Sequence, residues 1–329
     1  MLTFDRSYTD QSMILDQVES IGITSKSLVR TCLVSACATA IALCATRVEP
    51  APPTNPTNEQ SQIPGGILER IEKQGCVVLE SKTTVCKYDY RFGGKAVEAI
   101  SFRPPGDGRF PAVLLIPGYQ RTAQDLLPLG VRLANEGFAA VAVSQPGFGK
   151  SQGPPDLVGP KTIATLIAGY QKLRQESFAD PSRMAIYGYS RGGMAASLLV
   201  LQLDDVKAAV FGAGIYDLKR LYDESTLPRV RQNMLDETGM TKEAIRERSS
   251  IPRMEQLKCP VLILHGGKDV NVPVSQALLL RDRLTQLHKE FEIKIFPDRE
   301  HSIGPEAGDL TVDFFRRKLM PTTTPANQP

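Results

Sequence analysis

The run Gly188-Tyr189-Ser190-Arg191-Gly192-Gly193 carries the residue types for nucleophilic chemistry, directly after an apolar run, Met184–Tyr187, and directly before a helical pattern. A serine between spaced glycines at a strand–turn–helix junction is the G-x-S-x-G arrangement of an exposed nucleophile. The turn must be sharp, and a side chain at Gly188 or Gly192 would collide with the adjoining strand or helix. Ser190 is thereby thrust out at a helix N-terminus, where free N–H groups favour charge developing on a substrate oxygen. The bland alternative is a serine in an ordinary glycine turn, and the strand before and helix after argue against it.

A serine hydroxyl needs a base to remove its proton. Three histidines are available, His265, His288 and His301. His288 ends a helical pattern beside Lys289 and reads as a surface residue complementing the helix C-terminus. His265 ends an apolar run and reads as a structural group near the site. His301 follows the run Phe291–Phe296 by the short loop Pro297-Asp298-Arg299-Glu300, and is the expected base. The acid should fall between serine and histidine in chain order. Asp269, in His265-Gly266-Gly267-Lys268-Asp269, is the expected acid, with Asp217 as the alternative. Asp298 and Glu300 share the histidine's own loop and read as solvated charges.

The oxyanion of an acyl-transfer intermediate needs two donors, one from the residue after the nucleophile and one from an earlier strand–helix loop. The backbone N–H groups of Arg191 and Tyr119 are expected here, Tyr119 lying in Pro117-Gly118-Tyr119-Gln120-Arg121 after the run Ala112–Ile116. Its hydroxyl is an alternative donor, and a packing role for its ring stays open. Gly149-Lys150-Ser151 resembles the end of a phosphate-binding loop, but Ser144 stands where the first glycine is required. No G-x-G-x-x-G opens a helix and no C-x-x-C occurs, so no nucleotide cofactor and no metal is expected.

These residues need elements to hold them. Two short β-like runs, Cys76–Glu80 and Thr84–Tyr90, lead to Ala96–Phe102; then Val-, Ile- and Ala-rich runs recur at Ala112–Ile116, Ala139–Ser144, Met184–Tyr187, Val206–Phe211, Val261–Leu264 and Phe291–Phe296. Continuous apolar runs suit strands buried on both faces of a parallel sheet. Helical patterns lie between them at Ala123–Glu136, Lys161–Glu176, Arg191–Leu203, Val274–His288 and Gly308–Leu319. Strand–helix–strand alternation predicts a doubly wound, mostly parallel α/β sheet, with its site at the carboxyl ends of the strands. Residues 215–256 break the alternation with charged, helical sequence and are expected to form a cap-like insertion, whose Arg220, Arg229, Arg231, Arg246 and Arg248 read as a solvated face. Cys76 and Cys86 stand symmetrically about Ser81, so a hairpin turning there would bring them within disulfide reach.

The chain has 329 residues, 39 basic and 36 acidic, with no Trp and 6% aromatics, which gives no electrostatic or stacking footprint for nucleic acid. Residues 31–45 are apolar and small, follow Lys26 and Arg30, and are too short for an ordinary membrane span. They suit a secretory signal or anchor, so 1–47 is expected to be a leader, with a start at Met13 or later, and the protein to be exported to the periplasm or cell envelope. Cys37 and Cys44 each allow a lipid-anchor reading, which would tether the protein to a membrane. The Pro-, Thr-, Asn- and Gln-rich residues 48–66 and the tail 321–329 are expected to be flexible, leaving 67–320 as the folded domain.

Several segments resemble the catalytic domain of prolyl oligopeptidase-family serine peptidases: Asp180-Pro181-Ser182-Arg183 through Gly193, Lys258-Cys259-Pro260 through Gly266, Asp269, and Val272-Pro273-Val274-Ser275. Dienelactone-hydrolase-like esterases share much of the pattern, and Gln145–Ser151 resembles a loop common in the wider α/β-hydrolase superfamily. The resemblance spans roughly Ala96 to Leu319 and implies the α/β-hydrolase fold with Ser190, Asp269 and His301 as the catalytic set. Pro117 stands where many relatives carry His. Those peptidases also carry a β-propeller, for which the stretch before Ala96 is too short at about 40 residues per blade. A small ester is therefore the expected substrate, with a short peptide, or a non-catalytic binding role, as alternatives.

Overall fold

The computed structural model describes residues 66–320. The leader, the tether except Gly66, the tail, and Cys37 and Cys44 lie outside the described residues. The chain runs through α1 (Ile67–Gln74), β1 (Cys76–Val78), β2 (Thr84–Lys87), β3 (Tyr90–Phe92), β4 (Lys95–Val97), β5 (Ala99–Arg103) and β6 (Phe110–Ile116). It continues through α2 (Leu127–Asn135), β7 (Ala139–Val143), α3 (Pro160–Gln175), β8 (Ala179–Tyr189), α4 (Arg191–Leu199) and β9 (Val206–Gly212). Then come α5 (Leu218–Glu224), α6 (Pro228–Thr238), α7 (Lys242–Arg248), β10 (Val261–Gly266), α8 (Ser275–Gln286), β11 (Phe291–Phe296) and α9 (Glu306–Leu319).

Nine strands form one sheet in the order β1-β2-β5-β7-β6-β8-β9-β10-β11. From β7 to β11 every neighbouring pair is parallel, while β1, β2 and β5 join antiparallel at one side. This is the mostly parallel α/β sheet expected from the apolar runs. Both faces are covered, which is why the central strands are apolar at every position rather than every second one. Leu114, Val141, Ile186 and Ile263 pack with residues of α3, α4 and α8, whereas Val113, Leu115, Ala140 and Leu264 pack with residues of α1, α2 and α9. On the latter face Phe102, Phe138, Phe314 and Phe315 are fully buried, each worth roughly 1.5–3 kcal/mol relative to exposure. The edge strand β11 departs from the pattern: Lys294 is exposed and Glu292 half-buried on it, which discourages further strand pairing.

Two expected strands are broken. Thr84–Tyr90 divides into β2 and β3, and Ala96–Phe102 into β4 and β5. The cause is a separate two-stranded ribbon of β3 and β4, turning at Gly93 and Gly94, whose φ angles are 55° and 77°. A Gly-Gly pair flanked by short β-forming runs is a hairpin signal that the strand reading passed over. Helix α1 was also not expected; its Ile67 and Ile71 are one turn apart, and together they seal the antiparallel edge.

The 215–256 segment is helical as expected, comprising α5, α6, α7 and a 3-10 turn over Ile251–Gln256. Arg220 pairs with Glu224, Arg246 with Glu243, and Arg231 lies 4.5 Å from the Tyr222 ring centroid. Arg248 is a correction to the solvated-face reading. It is 6% exposed and donates from Nε and Nη2 to the Asp156 carbonyl and from Nη1 to that of Ala244, anchoring the segment to the body.

Cys76 and Cys86 face each other in the β1–β2 register and form a disulfide, with Cys259 the remaining, buried cysteine among the described residues. The bond closes a short loop and limits the unfolded chain. Replacing both cysteines by serine should lower unfolding free energy by about 2–3 kcal/mol without changing the fold. Urea denaturation of the oxidised parent and the variant checks this; coincident midpoints would show that the hairpin is held by its ladder and α1 alone.

Candidate active site

At the carboxyl end of β8 the chain turns into α4 within one residue. Ser190 has φ 57° and ψ −121°, a region costly for a residue with a side chain. The turn survives because both neighbours approach closer than any Cβ would allow. A Cβ on Gly188 would lie 2.0 Å from the Gly192 carbonyl oxygen, and one on Gly192 would lie 2.1 Å from that of Ile116. The Ser190 N–H donates to the Gly212 carbonyl at 2.7 Å, pinning the turn between β8 and β9.

The loops after β10 and β11 bring the other two residues to Ser190. His301 Nε2 lies 2.9 Å from Ser190 Oγ, and His301 Nδ1 lies 2.7 Å from Asp269 Oδ2. With Nδ1–H donating to the carboxylate, the Nε2 lone pair faces the serine hydroxyl. Asp269 is fully enclosed, while the His301 side chain is 26% exposed. Asp269 Oδ1 accepts the N–H groups of Asn271 and Val272, both at 2.9 Å, which fixes the carboxyl plane and leaves Oδ2 for the histidine. The Lys268 N–H donates to the Arg299 carbonyl at 2.9 Å, lacing the two loops together.

The other sequence candidates have different places. Asp217 caps α5, its Oδ1 accepting the Arg220 N–H at 3.0 Å. Asp298 faces solvent and pairs with Lys268, and Glu300 is exposed. His288, at φ 51°, is exposed just past the end of α8. His265 is wholly buried beneath Asp269: its Nε2–H donates to the Val272 carbonyl at 2.8 Å and stands 3.5 Å from Asp269 Oδ2. Burial pushes its imidazole pKa down, so it is held neutral and steadies the Asp269 loop without carrying charge.

The Pro117–Tyr119 loop borders Ser190 closely; a Cβ on Gly118 would lie 3.3 Å from Ser190 Cβ. The Tyr119 ring packs edge-on to Phe148, with centroids 5.6 Å apart. Reading the residues for chemistry missed Tyr189, the variable residue of the G-x-S turn. Its hydroxyl donates to the His301 carbonyl and its ring meets the imidazole at 5.8 Å between centroids, so it holds His301 from behind. It also missed Glu237, which pairs with Arg191. Neither has a spacing signal in the sequence, because both act through contacts between distant segments. Among the described residues no group of three or more His, Cys, Asp or Glu side chains could hold a metal ion, and no helix is long and apolar enough to cross a membrane.

The chain is 26% identical over 227 residues to the uncharacterized peptidase YtmA of Bacillus subtilis, covering 68% of this chain and 87% of that one. It is 24% identical over 214 residues to acylamino-acid-releasing enzyme 2 of Oryza sativa subsp. japonica, covering 61% of this chain but only 27% of the rice protein. Among solved structures, a puromycin-hydrolyzing peptidase of Mycobacterium tuberculosis superposes with a TM-score of 0.65 at 23% identity, covering 74% of this chain and 40% of that one. An acetyl xylan esterase from Paenibacillus sp. R4 superposes with a TM-score of 0.62 at 18% identity, covering 77% and 92%. These likenesses show the α/β-hydrolase fold. The model of the prolyl oligopeptidase family matches residues 134–319, a span that holds Ser190, Asp269 and His301 together, and the chain belongs to that family.

Proposed function

We propose that the protein is a serine hydrolase that cleaves small carboxylic esters through an acyl-enzyme on Ser190. The observation that carries this reading is the continuous hydrogen-bonded line Ser190 Oγ, His301, Asp269, with links of 2.9 and 2.7 Å. As Ser190 Oγ attacks the ester carbonyl carbon, His301 Nε2 takes its proton, and the imidazolium is steadied by Asp269. The carbonyl oxygen becomes an oxyanion facing the N–H groups of Tyr119 and Arg191. Collapse of that intermediate breaks the bond to the alcohol, which leaves with the proton from His301. Water, deprotonated by the same nitrogen, then attacks the acyl-enzyme, and the acid is released.

Membership of a peptidase family supports a second reading, hydrolysis of short peptides or aminoacyl amides. The ester reading is preferred because esters have better leaving groups than amides, so a site lacking dedicated peptide-holding groups acts on them first. The five arginines read from the insertion are each engaged within the protein: Arg220 and Arg246 are paired within their own helices, Arg229 donates to Asn271 Oδ1, Arg231 lies over the Tyr222 ring, and Arg248 is buried. Export and membrane tethering through the leader belong to the same proposal.

Ser190→Ala and His301→Ala should each lower kcat by roughly 10⁴-fold or more, and Asp269→Ala somewhat less, because the three act as a unit. His288→Ala should be close to silent. Steady-state kinetics on a short-chain aryl ester checks the series, and a fully active Ser190→Ala variant sinks the reading. For substrate class, kcat/KM should be higher for short-chain aryl esters than for aminoacyl anilides of similar size. Faster cleavage of the anilides would replace the ester reading with the peptidase one.

A further inference from the structure

The side chain that follows the nucleophile is buried and charged. Arg191 is 2% exposed, and its guanidinium meets the Glu237 carboxylate in a two-pronged pair, Nη1 to Oε1 at 2.7 Å and Nη2 to Oε2 at 2.8 Å. Nε–H donates to Gln145 Oε1 at 3.3 Å, and the guanidinium carbon lies 5.1 Å from the Phe148 ring centroid and 5.7 Å from that of Tyr119. Gln145 turns its Nε2–H to the Pro117 carbonyl at 2.8 Å, and Glu237 Oε2 also accepts the Leu157 N–H at 2.6 Å.

One guanidinium therefore joins four stretches of chain: the nucleophile turn, the Pro117–Tyr119 loop, the Gln145–Phe148 loop and α6. Two of these carry the N–H groups assigned above to the oxyanion. An apolar side chain of similar volume would fill the same space. What the bidentate pair adds is orientation, because the planar fork accepts a carboxylate in one geometry and the two aromatic rings fix its plane. Neither partner can leave without stranding the other's charge away from water. The partner is also remote in sequence and sits on the helical insertion rather than on the sheet.

Resting on the acyl-transfer reading, we propose that Glu237 is a positioning residue for catalysis: through Arg191 it makes the alignment of both oxyanion N–H groups depend on helix α6. The insertion then belongs to the catalytic machinery, because donors must match the place where charge develops to within a fraction of an ångström.

The test uses the full chain and four variants: Glu237→Gln, Glu237→Leu, Arg191→Met/Glu237→Leu, and Ser190→Ala. It reads kcat and KM separately on a short-chain aryl ester, together with the melting temperature and the rate of inactivation by a fluorophosphonate. Glu237→Leu should lose roughly 10–100-fold in kcat with KM little changed. In the double variant the stranded charge is gone, so the melting temperature should return towards the parent's while kcat and inactivation rate stay low. Parental kcat in a double variant of parental stability would overturn the proposal and leave the pair a packing device. If the double variant does not fold, Glu237→Gln decides, and an unchanged kcat there overturns the proposal equally. An active Ser190→Ala would instead defeat the acyl-transfer reading, so the two failures are distinguishable.

Discussion

The contact on which the candidate site depends is the meeting of β8 and α4 across two glycines. Gly188 and Gly192 let backbone oxygens come to about 2 Å from where a Cβ would stand. No other residue type permits that approach. The closeness leaves the single residue between β8 and α4, Ser190, at a positive φ, its side chain standing clear of strand and helix. Such a conformation is costly in isolation and persists because the surroundings determine it: β6 on one side, β9 on the other, and the helix it opens.

From that point the geometry spreads outward along the strand ends. Parallel strands deliver their following loops to one edge of the sheet, so residues far apart in sequence arrive together. The β10 loop holds Asp269 by its own backbone N–H groups and rests on the neutral, buried His265. The β11 loop brings His301, braced from behind by the Tyr189 hydroxyl and laced to the β10 loop by Lys268. On the opposite side Gln145 and Arg191 tie the Pro117 loop to the Ser190 turn. Rigidity at this edge comes from backbone hydrogen bonds and buried polar pairs, and the core beneath supplies the platform.

The sequence displayed the strands buried on both faces most clearly, because a residue run such as Ala112–Ile116 has no polar position to mislead. That Ser190, Asp269 and His301 would meet was legible for a related reason: each follows a β-like run by a short loop, and topology puts those loops together, although the run before His301 carries Glu292 and Lys294. The β3–β4 ribbon was missed because its residues merge with longer β-like stretches, and only Gly93-Gly94 marks the turn. Arg248 and Glu237 were hidden for a deeper physical reason. A charged side chain in a charged helix reads as solvated until its partner, the Asp156 carbonyl or the Arg191 guanidinium, is brought to it by the fold. Charge neutralisation across distant segments leaves no periodicity in the sequence.

The central claim is that Ser190 is activated by His301 and Asp269. It is tested most directly by trapping the nucleophile. Treating the purified chain with a fluorophosphonate and mapping the adduct by peptide mass spectrometry should find one modification, on Ser190, lost when His301 is replaced by alanine. An unmodified Ser190 under conditions that label an ordinary serine hydrolase, or equal labelling without His301, would contradict the account.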